Sequence, residues 1–220
     1  MSIGLRSFIF YNVGLGRKIP AVDPSDLFPQ ESISVTLDAG FGACGGLSPQ
    51  EGLLMVLLAA RMRCTAVFEI GTCSGRTTYN LACNIPGIVY TLDLPPTTRD
   101  TLLPVEKADH AFMGIEDSQK YWIGKPQADR IVQLQGDSAD FDFTPYYKRM
   151  DLVFVDGSHA YHYVRKDSES ALALVQDSGA IVWHDYAPCW PGVVRALNEL
   201  ASRVSLVNLK GTSLVVYRKE

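Results

Sequence analysis

The chain has 220 residues, of which 47% are hydrophobic and 20% are charged, so it can form one or two domains with a real core, and disorder is excluded. Lys and Arg number 20 against 24 for Asp and Glu, a net charge of -4, which argues against nucleic acid as the main partner. The most apolar stretch, residues 53–60, is too short to cross a bilayer, so a membrane partner is not expected either.

Cysteine usage indicates the compartment. The chain contains five cysteines, Cys44, Cys64, Cys73, Cys83 and Cys189. They form no Cys-x-x-Cys pair, and their odd number does not suit a secreted disulfide framework. The first sixteen residues lack the cleavage pattern of a signal peptide. We therefore expect a reducing, cytoplasmic location.

The chain divides near residue 48. Residues 1–47 mix Pro, Gly and short apolar pieces without a sustained period, and they are predicted to form an arm or lid before a main domain at 48–220. Ser48, with Pro49 after it and Glu51 three residues on, has the pattern of a helix N-cap. The apolar residues that follow predict a helix packed between other elements.

Strand-like and helix-like segments alternate from residue 66 onward. Strands are predicted in AVFEIG, GIVYTLDL, RIVQLQG, DLVFVDG and GAIVWHDY, and helices in GRTTYNLACNI, HYVRKDSESALALVQ and GVVRALNELASR. The polar stretch 95–129 is expected to hold a helix and surface loops. Near the C-terminus, VSLVNL and TSLVVYR flank the turn residues Lys210 and Gly211 and predict an antiparallel hairpin.

This alternation predicts an α/β fold. We expect a three-layer, Rossmann-like sheet of about seven strands with helices on both faces, because strands separated by helices form parallel sheets through right-handed crossovers. The sheet should be mostly parallel, with one antiparallel strand from the C-terminal hairpin. Continuous apolar strands such as VFEI and LVFV support burial of both faces.

The strongest local motif is a glycine-containing loop between the first strand and its helix. Glu69, Gly71 and Gly75 form the pattern ExGxxxG. A dinucleotide fingerprint requires GxGxxG, and a P-loop requires a lysine that is absent here. Glycines at such a turn let backbone N–H groups approach a ligand, although a strand-turn-helix also needs a glycine for purely structural reasons.

Polar residues follow the next two strands. Asp93 ends the second strand roughly 20 residues past the loop, where a carboxylate can accept both hydroxyls of a ribose. Asp137 and Ser138 follow the third strand and could bond an adenine edge. Each also has a structural interpretation, as a strand-end cap or an Asx or Ser turn.

Together these motifs resemble the class I S-adenosylmethionine (SAM)-dependent methyltransferases. The run 151–186 is similar to the subgroup related to cephalosporin-biosynthesis-type and catechol-type O-methyltransferases. The resemblance covers about residues 48–218 and leaves the N-terminal arm unexplained.

The resemblance implies a set of cofactor residues. They are Glu69, Gly71, Gly75, Asp93, Asp137 and Ser138. The two glycines would line the methionine portion of SAM, and the glutamate would help to hold its ammonium group. The aspartate after the second strand would bind the ribose, and the Asp-Ser pair would lie at the adenine.

A second group of residues combines acids and histidines. Asp156 follows the fourth strand, and His184 with Asp185 follows the fifth, so a parallel sheet should bring them to one crevice. His159 lies on the same loop as Asp156. Carboxylates with one or more imidazoles suit a divalent cation, Mg or Ca when oxygen ligands dominate and Mn or a transition metal when imidazole contributes more.

The resemblance sharpens this assignment. In the catechol-type relatives it implies a magnesium held by an Asp after strand four and an Asp-Asn pair after strand five. Here Asp156 matches the first position, His184 replaces the acid and Asp185 replaces the asparagine. The lysine base of those relatives falls at His159, whose neutral imidazole is competent to abstract the same proton.

We therefore predict a metal on Asp156, His184 and Asp185, and catalysis by His159 with Asp156. Each histidine also has a structural interpretation, an imidazole satisfied by nearby carboxylates. Four aromatic residues are candidates for walls of an acceptor site. They are Trp122, Tyr161, Tyr186 and Trp190.

The leading interpretation is SAM-dependent O-methylation of a small-molecule hydroxyl. One alternative is an NAD-dependent oxidoreductase on a similar sheet, which the glycine spacing and the terminal hairpin disfavour. Another is a non-catalytic nucleotide-binding or assembly protein, which the altered metal pattern leaves open. The sequence is compatible with a homo-oligomer and does not identify the acceptor.

Overall fold

The computed structural model describes residues 16–27, 32–38, 46–98 and 100–220. Its strands are β1 (Ala21–Val22), β2 (Ala66–Ile70), β3 (Ile88–Asp93), β4 (Ile131–Gln135), β5 (Met150–Val155), β6 (Val175–Trp183), β7 (Val207–Leu209) and β8 (Val215–Arg218). They form one eight-stranded sheet in the order β1-β7-β8-β6-β5-β2-β3-β4. All neighbouring pairs are parallel except those that β8 makes with β6 and β7, which are antiparallel.

The helices of the described residues are α1 (Pro24–Leu27), α2 (Pro49–Arg61), α3 (Arg76–Asn84), α4 (Tyr161–Leu174) and α5 (Pro191–Leu200). Val67 of β2 belongs to a buried cluster with α2 and α3, whereas its neighbour Phe68 belongs to a second cluster with α4 and α5. Since consecutive strand residues point to opposite faces, the helices cover both faces of the sheet. The predicted three-layer α/β fold is confirmed.

The order of the strands positions the site. From β2 the chain adds β3 and β4 on one side, and it then returns to add β5 and β6 on the other. Open α/β sheets bind ligands at such a change of direction, outside the carboxyl ends of the strands. The loops after β2 and β5 meet there, where the backbone N–H of Asp156 donates to the oxygen of Ile70 at 2.9 Å.

The helix predicted to begin after Ser48 is confirmed. The hydroxyl of Ser48 accepts from the backbone N–H of Glu51, and the side chain of Glu51 accepts from the backbone N–H of Ser48, which is a complete capping box.

No helix of the described ranges is long and apolar enough to span a membrane. Within those ranges Cys64, Cys73 and Cys83 form no disulfide, and Cys44 lies outside them.

Three details differ from the sequence predictions. The short strand β1, which comes from the predicted arm, adds an eighth strand beside β7. The helix expected in 95–129 is replaced by 3-10 turns at Asp109–Phe112, Asp117–Gln119 and Ala128–Arg130, because this polar stretch has no apolar period to bury. Helix α4 ends at Leu174, before its predicted end at 176, and β6 follows at once. That residues 1–47 act as a separate arm stays a prediction.

Candidate active site

Two glycines of the loop after β2 are packed too tightly for any side chain. Gly71 has a φ of +98°, and a Cβ atom there would lie 2.2 Å from the backbone oxygen of Asp156. Gly75 has a φ of +77°, and its Cβ would lie 2.0 Å from the indole of Trp122. Both backbone conformations disfavour residues with a side chain. The loop therefore requires glycine at both positions.

An open cleft of about 650 Å³ lies beside this loop, at the carboxyl ends of the strands. Four of the six predicted cofactor residues line it, namely Gly71, Asp93, Asp137 and Ser138. Asp156 lines it as well. Much of the remaining wall is apolar, from Ile70, Leu92, Leu94, Val105, Phe112 and Met113. An apolar cleft with a few convergent polar groups is typical of a small-molecule site.

Glu69 is buried beneath the loop and is not among the residues that line the cleft. Its carboxyl group accepts hydrogen bonds from the hydroxyls of Thr78 and Thr91, the latter at 2.6 Å. Burial raises the pKa of Glu69 to about 8, while these two hydroxyls oppose the increase. Glu69 thus ties β3 to helix α3 below the loop. Its contact with a cofactor ammonium group stays a prediction.

The carboxylate of Asp93 already has three protein partners. Its Oδ2 accepts from the backbone N–H of Cys73 at 3.1 Å and from Lys120 Nζ at 3.0 Å, and its Oδ1 accepts from the backbone N–H of Leu94 at 3.1 Å. Burial raises the pKa of Asp93, whereas the Lys120 ammonium lowers it. Asp93, the residue predicted to bind the ribose, is therefore held from one side by its ion pair with Lys120.

Asp137 is also fixed by the protein. Its two oxygens lie 2.9 and 2.7 Å from the hydroxyl of Tyr163, and its Oδ2 accepts from the backbone N–H of Leu102 at 2.9 Å. Burial, and next the hydrogen bond to Asp137, raise the pKa of Tyr163. Helix α4 and the stretch 95–129 thus orient this carboxylate at the cleft, beside Ser138.

The structure brings the three predicted metal ligands together. One donor atom from each of Asp156, His184 and Asp185 lies within 4.8 Å of the others. The imidazole Nδ1 of His184 is 2.9 Å from Asp156 Oδ1 and 3.1 Å from Asp185 Oδ2. Asp156 lines both the main cleft and a small adjoining cavity that His184 and Asp185 also line. The predicted cofactor and acid-histidine groups are therefore neighbours.

His159 is held between two carboxylates and an indole. Its Nδ1 lies 2.5 Å from Asp109 Oδ1, its Nε2 lies 2.8 Å from Asp185 Oδ2, and its ring stacks on Trp190 with centroids 3.6 Å apart. Burial lowers the pKa of His159, but the hydrogen bonds to Asp109 and Asp185 outweigh burial and raise it to about 9. The neutral imidazole expected from the sequence is thus disfavoured here at neutral pH, and the function of His159 as base stays a prediction.

Glu51 extends the cluster from the capping box of α2. Its Oε1 accepts from the backbone N–H and the hydroxyl of Ser213, both at 2.8 Å, and its Oε2 lies 3.6 Å from His184 Nε2. Burial opposes ionisation, but the bonds to His184 and the serines hold the pKa of Glu51 well below its usual range. The neighbouring carboxylates, chiefly Asp156, raise the pKa of His184 despite its burial.

The whole cluster is rich in acid. Four carboxyl groups surround two imidazoles, and the carboxyl groups outnumber the imidazoles by two. The acids are Glu51, Asp109, Asp156 and Asp185, and the imidazoles belong to His159 and His184. Such a surplus of oxygen donors is compatible with a divalent cation.

Three charged residues of this region are not predicted by the sequence patterns. The pattern around Glu51 predicts a helix cap and contains no information about His184. Asp109 and Lys120 belong to the polar stretch 95–129, where no periodicity or motif distinguishes them from surface residues. Their partners lie 50 and 27 positions away in sequence, so spacing alone could not identify them.

The four candidate aromatic residues are dispersed. Trp190 contacts the cluster through His159, whereas Trp122 packs on Gly75 of the cofactor-side loop. Tyr186 is buried, and its hydroxyl accepts from the backbone N–H of Lys18 at 2.8 Å. The hydroxyl of Tyr161 donates to a surface glutamate. Only Trp190 is in place for an acceptor wall beside the cluster.

Solved structures share this fold. The O-methyltransferase from Bacillus cereus, solved with S-adenosylhomocysteine (SAH), is 21% identical, with 80% of this chain and 84% of that chain covered and a TM-score of 0.57. TomG from Streptomyces achromogenes, an O-methyltransferase of tomaymycin synthesis solved with SAM, is 20% identical over 100% of both chains, with a TM-score of 0.55. The O-methyltransferase NovP is 14% identical, with 77% of this chain and 78% of that chain covered and a TM-score of 0.58. The molecule therefore has the fold of class I methyltransferases.

A family model described as a methyltransferase domain matches residues 68–186. The match spans more than half of the chain and contains the glycine loop and every residue of the acid-histidine cluster except Glu51. The chain belongs to this methyltransferase-domain family, and the resemblance noted from the motifs is confirmed. No curated protein matches the sequence.

Proposed function

We propose that the protein transfers the methyl group of SAM to a hydroxyl oxygen of a small molecule. The observation that carries this proposal is the position of Asp156, which lines both the cleft with Gly71 and Asp93 and the cavity with His184 and Asp185. A methyl donor in the first space and an acceptor at the second would be adjacent, as direct transfer requires. When bound, SAM supplies an electrophilic methyl group on a sulfonium.

The residues of the cleft suit that cofactor. Gly71 brings the backbone close to the site of the methionine portion, and Asp93 offers a carboxylate for the ribose. Asp137 and Ser138 line the end expected for the adenine. Gly75 and Glu69, which are not among the lining residues, determine how the loop packs on Trp122 and helix α3, and their contacts with the methionine portion stay predictions. Several solved neighbours, including TomG, contain SAM or SAH.

His159 is our candidate for the base that takes the proton of the acceptor hydroxyl. Asp109 orients its ring through Nδ1, so Nε2 is the nitrogen directed at Asp185 and the cavity. A dyad of this kind is a strong base once Nε2 has lost its own proton and its contact with Asp185, because the Asp109 carboxylate stabilises the imidazolium that forms again when Nε2 takes the hydroxyl proton. Removing the hydroxyl proton increases the nucleophilicity of the oxygen.

We also propose that Asp156, His184 and Asp185 hold a divalent cation, Mg or Mn. Two carboxylates and an imidazole are a suitable donor set, and their donor atoms are close enough to share one ion. The cation would lower the pKa of an acceptor hydroxyl. His184 Nδ1 now contacts both carboxylates, so binding requires that the imidazole exchange a proton for the ion.

The alternatives have less support. An NAD-dependent oxidoreductase disagrees with the methyltransferase-domain match and with the glycine spacing. A non-catalytic protein of this fold would not need the buried Asp109–His159 pair with Asp185 on its other side, next to the cleft. The thiols of Cys64, Cys73 and Cys83 are compatible with a cytoplasmic protein.

A transfer assay tests the proposal. The protein is incubated with trideuteromethyl-SAM and a panel of catechols, phenols and sugar alcohols, and products are detected by mass spectrometry. We expect a labelled methyl ether from at least one hydroxyl compound. His159→Gln should lower kcat by about 100-fold or more, the usual contribution of a general base. The control is His162→Gln, an exposed histidine three residues on, which should keep full activity. Equal activity of the two variants would reject His159 as the base.

A further inference from the structure

The stretch 95–129 is attached to the glycine loop at three successive residues. Lys120 Nζ donates to the backbone oxygen of Cys73 at 2.7 Å, and the backbone N–H of Tyr121 donates to the oxygen of Ser74 at 2.8 Å. The ring of Trp122 then covers Gly75. The position of Lys120 is thus fixed by backbone contacts of its own segment and of the loop.

The ammonium group of Lys120 lies behind Asp93, away from the cleft. The Lys120 side chain is 2% exposed, whereas that of Asp93 is 23% exposed and lines the cleft. Lys120 itself is not one of the lining residues. It therefore meets the carboxylate from the protein side, and a ligand would meet the same carboxylate from the other side.

The two carboxylate oxygens of Asp93 accept different numbers of hydrogen bonds. Oδ2 has two donors, the backbone N–H of Cys73 and Lys120 Nζ, and Oδ1 has one, the backbone N–H of Leu94. A carboxylate oxygen commonly accepts two hydrogen bonds. Oδ2 is therefore saturated, and Oδ1 has capacity for one more donor.

We propose that Lys120 is a positioning residue of the cofactor site, which keeps the Asp93 carboxylate charged and oriented so that Oδ1 accepts a ribose hydroxyl. This inference rests on the proposed function, because the ribose is that of SAM or SAH. It assigns the otherwise featureless stretch 95–129 to cofactor recognition. Lys120 acts through Asp93 and does not touch the ligand.

Electrostatics explain why an ammonium is needed at this place. Asp93 is largely buried, and burial raises its pKa, which Lys120 counteracts. Its titratable neighbours include the thiol of Cys73 and the carboxyl of Glu69, and Asp109, Asp137 and Asp156 line the same cleft; none of these groups is a cation. Without Lys120 no positive charge from these neighbours offsets burial, and a protonated Asp93 is a weaker acceptor.

Calorimetric titration with SAH and with 2′,3′-dideoxy-SAH tests the proposal. The ratio of the two Kd values reports the ribose contacts, and a general loss of stability does not change it. We expect wild-type protein to prefer SAH by about tenfold or more, as for a buried polar contact. Lys120→Met and Lys120→Gln should reduce the preference to less than about threefold. The control is Lys125→Met, whose native ammonium pairs with Asp38 at 2.5 Å and which should keep the wild-type ratio.

Each outcome is decisive. An unchanged ratio in the Lys120 variants overturns the inference alone, whereas wild-type protein that does not bind SAH overturns the proposed function as well. If neither variant folds, the wild-type protein provides the test. A carboxylate that Lys120 keeps charged gives a preference for SAH over 2′,3′-dideoxy-SAH that is constant from about pH 6.5 to 8.5. A preference that disappears toward the lower pH would contradict the inference.

Discussion

Asp109 and His159 are 50 positions apart in sequence, yet Asp109 Oδ1 lies 2.5 Å from the imidazole Nδ1 of His159. The second oxygen of Asp109 accepts from the backbone N–H of His159 at 3.2 Å and from the hydroxyl of Ser158 at 2.6 Å. One carboxylate from the stretch 95–129 therefore fixes both the ring and the backbone of the loop after β5. The stretch that supplies Lys120 to Asp93 also supplies Asp109 to His159.

The first prediction concerns this pair. Asp109→Asn should lower kcat for methyl transfer by about 10- to 100-fold, because the imidazole loses the carboxylate that orients it and stabilises its charged form. Asp117→Asn, in the same stretch but bonded to an exposed glutamine, is the matched control and should remain within about twofold of wild type. Steady-state kinetics with the acceptor found by screening measure both. Equal kcat for the two variants would show that Asp109 does not assist His159.

The second prediction concerns the pH dependence of stability. Asp167 is buried in helix α4, and within the described residues its oxygens have no geometric hydrogen-bond partner. Burial raises its pKa from 3.8 to about 7, opposed only in part by the nearby Ser138 hydroxyl. The folded protein thus holds this proton more tightly than the unfolded chain, so stability falls as the pH rises from about 4 to 7. Asp167→Asn removes this dependence.

Urea unfolding at pH 5 and pH 8 measures the effect. The free energy of unfolding of wild type minus that of Asp167→Asn should decrease by on the order of 2 kcal/mol between the two pH values. The control is Glu169→Gln, at an exposed position on the same helix. Its free energy of unfolding should change between the two pH values by the same amount as that of wild type. If the free energies of unfolding of Asp167→Asn and wild type changed equally between pH 5 and pH 8, the buried carboxyl would not titrate in this range.

The third prediction isolates the contact between Gly75 and Trp122. Gly75→Ala adds a methyl group within the space of the indole and also strains a backbone with φ of +77°, whereas Gly124→Ala meets a φ of +75° with nothing within 4 Å. The second variant therefore shows the backbone strain alone, about 1 kcal/mol. We expect Gly75→Ala to be less stable than Gly124→Ala by about 1–3 kcal/mol in urea unfolding, the usual effect of overpacking, and to bind SAH more weakly. Equal losses would place Trp122 away from the loop.

The fourth prediction concerns the cation. Mn²⁺ titration followed by electron paramagnetic resonance should show one bound ion per chain in the wild type. Asp185→Asn should weaken binding by about 10-fold or more, because it removes one of three donors. Asp177→Asn, at an 85% exposed side chain, should bind as wild type does. An affinity unaffected by Asp185→Asn would place any bound Mn²⁺ elsewhere.

The sequence predicted local structure well because the information is local. The capping box of Ser48 and Glu51, the glycines of the loop and the apolar strands each contain their structural reason within a few residues. The carboxyl-end positions of Asp156 and Asp185 also follow, since the ends of parallel strands share one edge. Their convergence could therefore be predicted without a structure.

The rest of the site depends on contacts that no local pattern encodes. Asp109 and Lys120 lie in a stretch without periodicity, and their functions follow only from how that stretch folds over the sheet. The charged state expected at neutral pH for His159 could not be predicted either, because it depends on two carboxylates from distant segments. Sequence periodicity identifies elements, whereas the pKa values of the site require its three-dimensional neighbours.

Binding of SAM in the cleft is the basis of the proposed function. Isothermal titration of the wild-type protein with SAM, SAH and NAD tests it most directly. We predict saturable binding of SAM and SAH with Kd values in the micromolar range and no heat of binding with NAD. Binding of NAD without binding of SAM or SAH, or binding of none of the three, would contradict the proposed function.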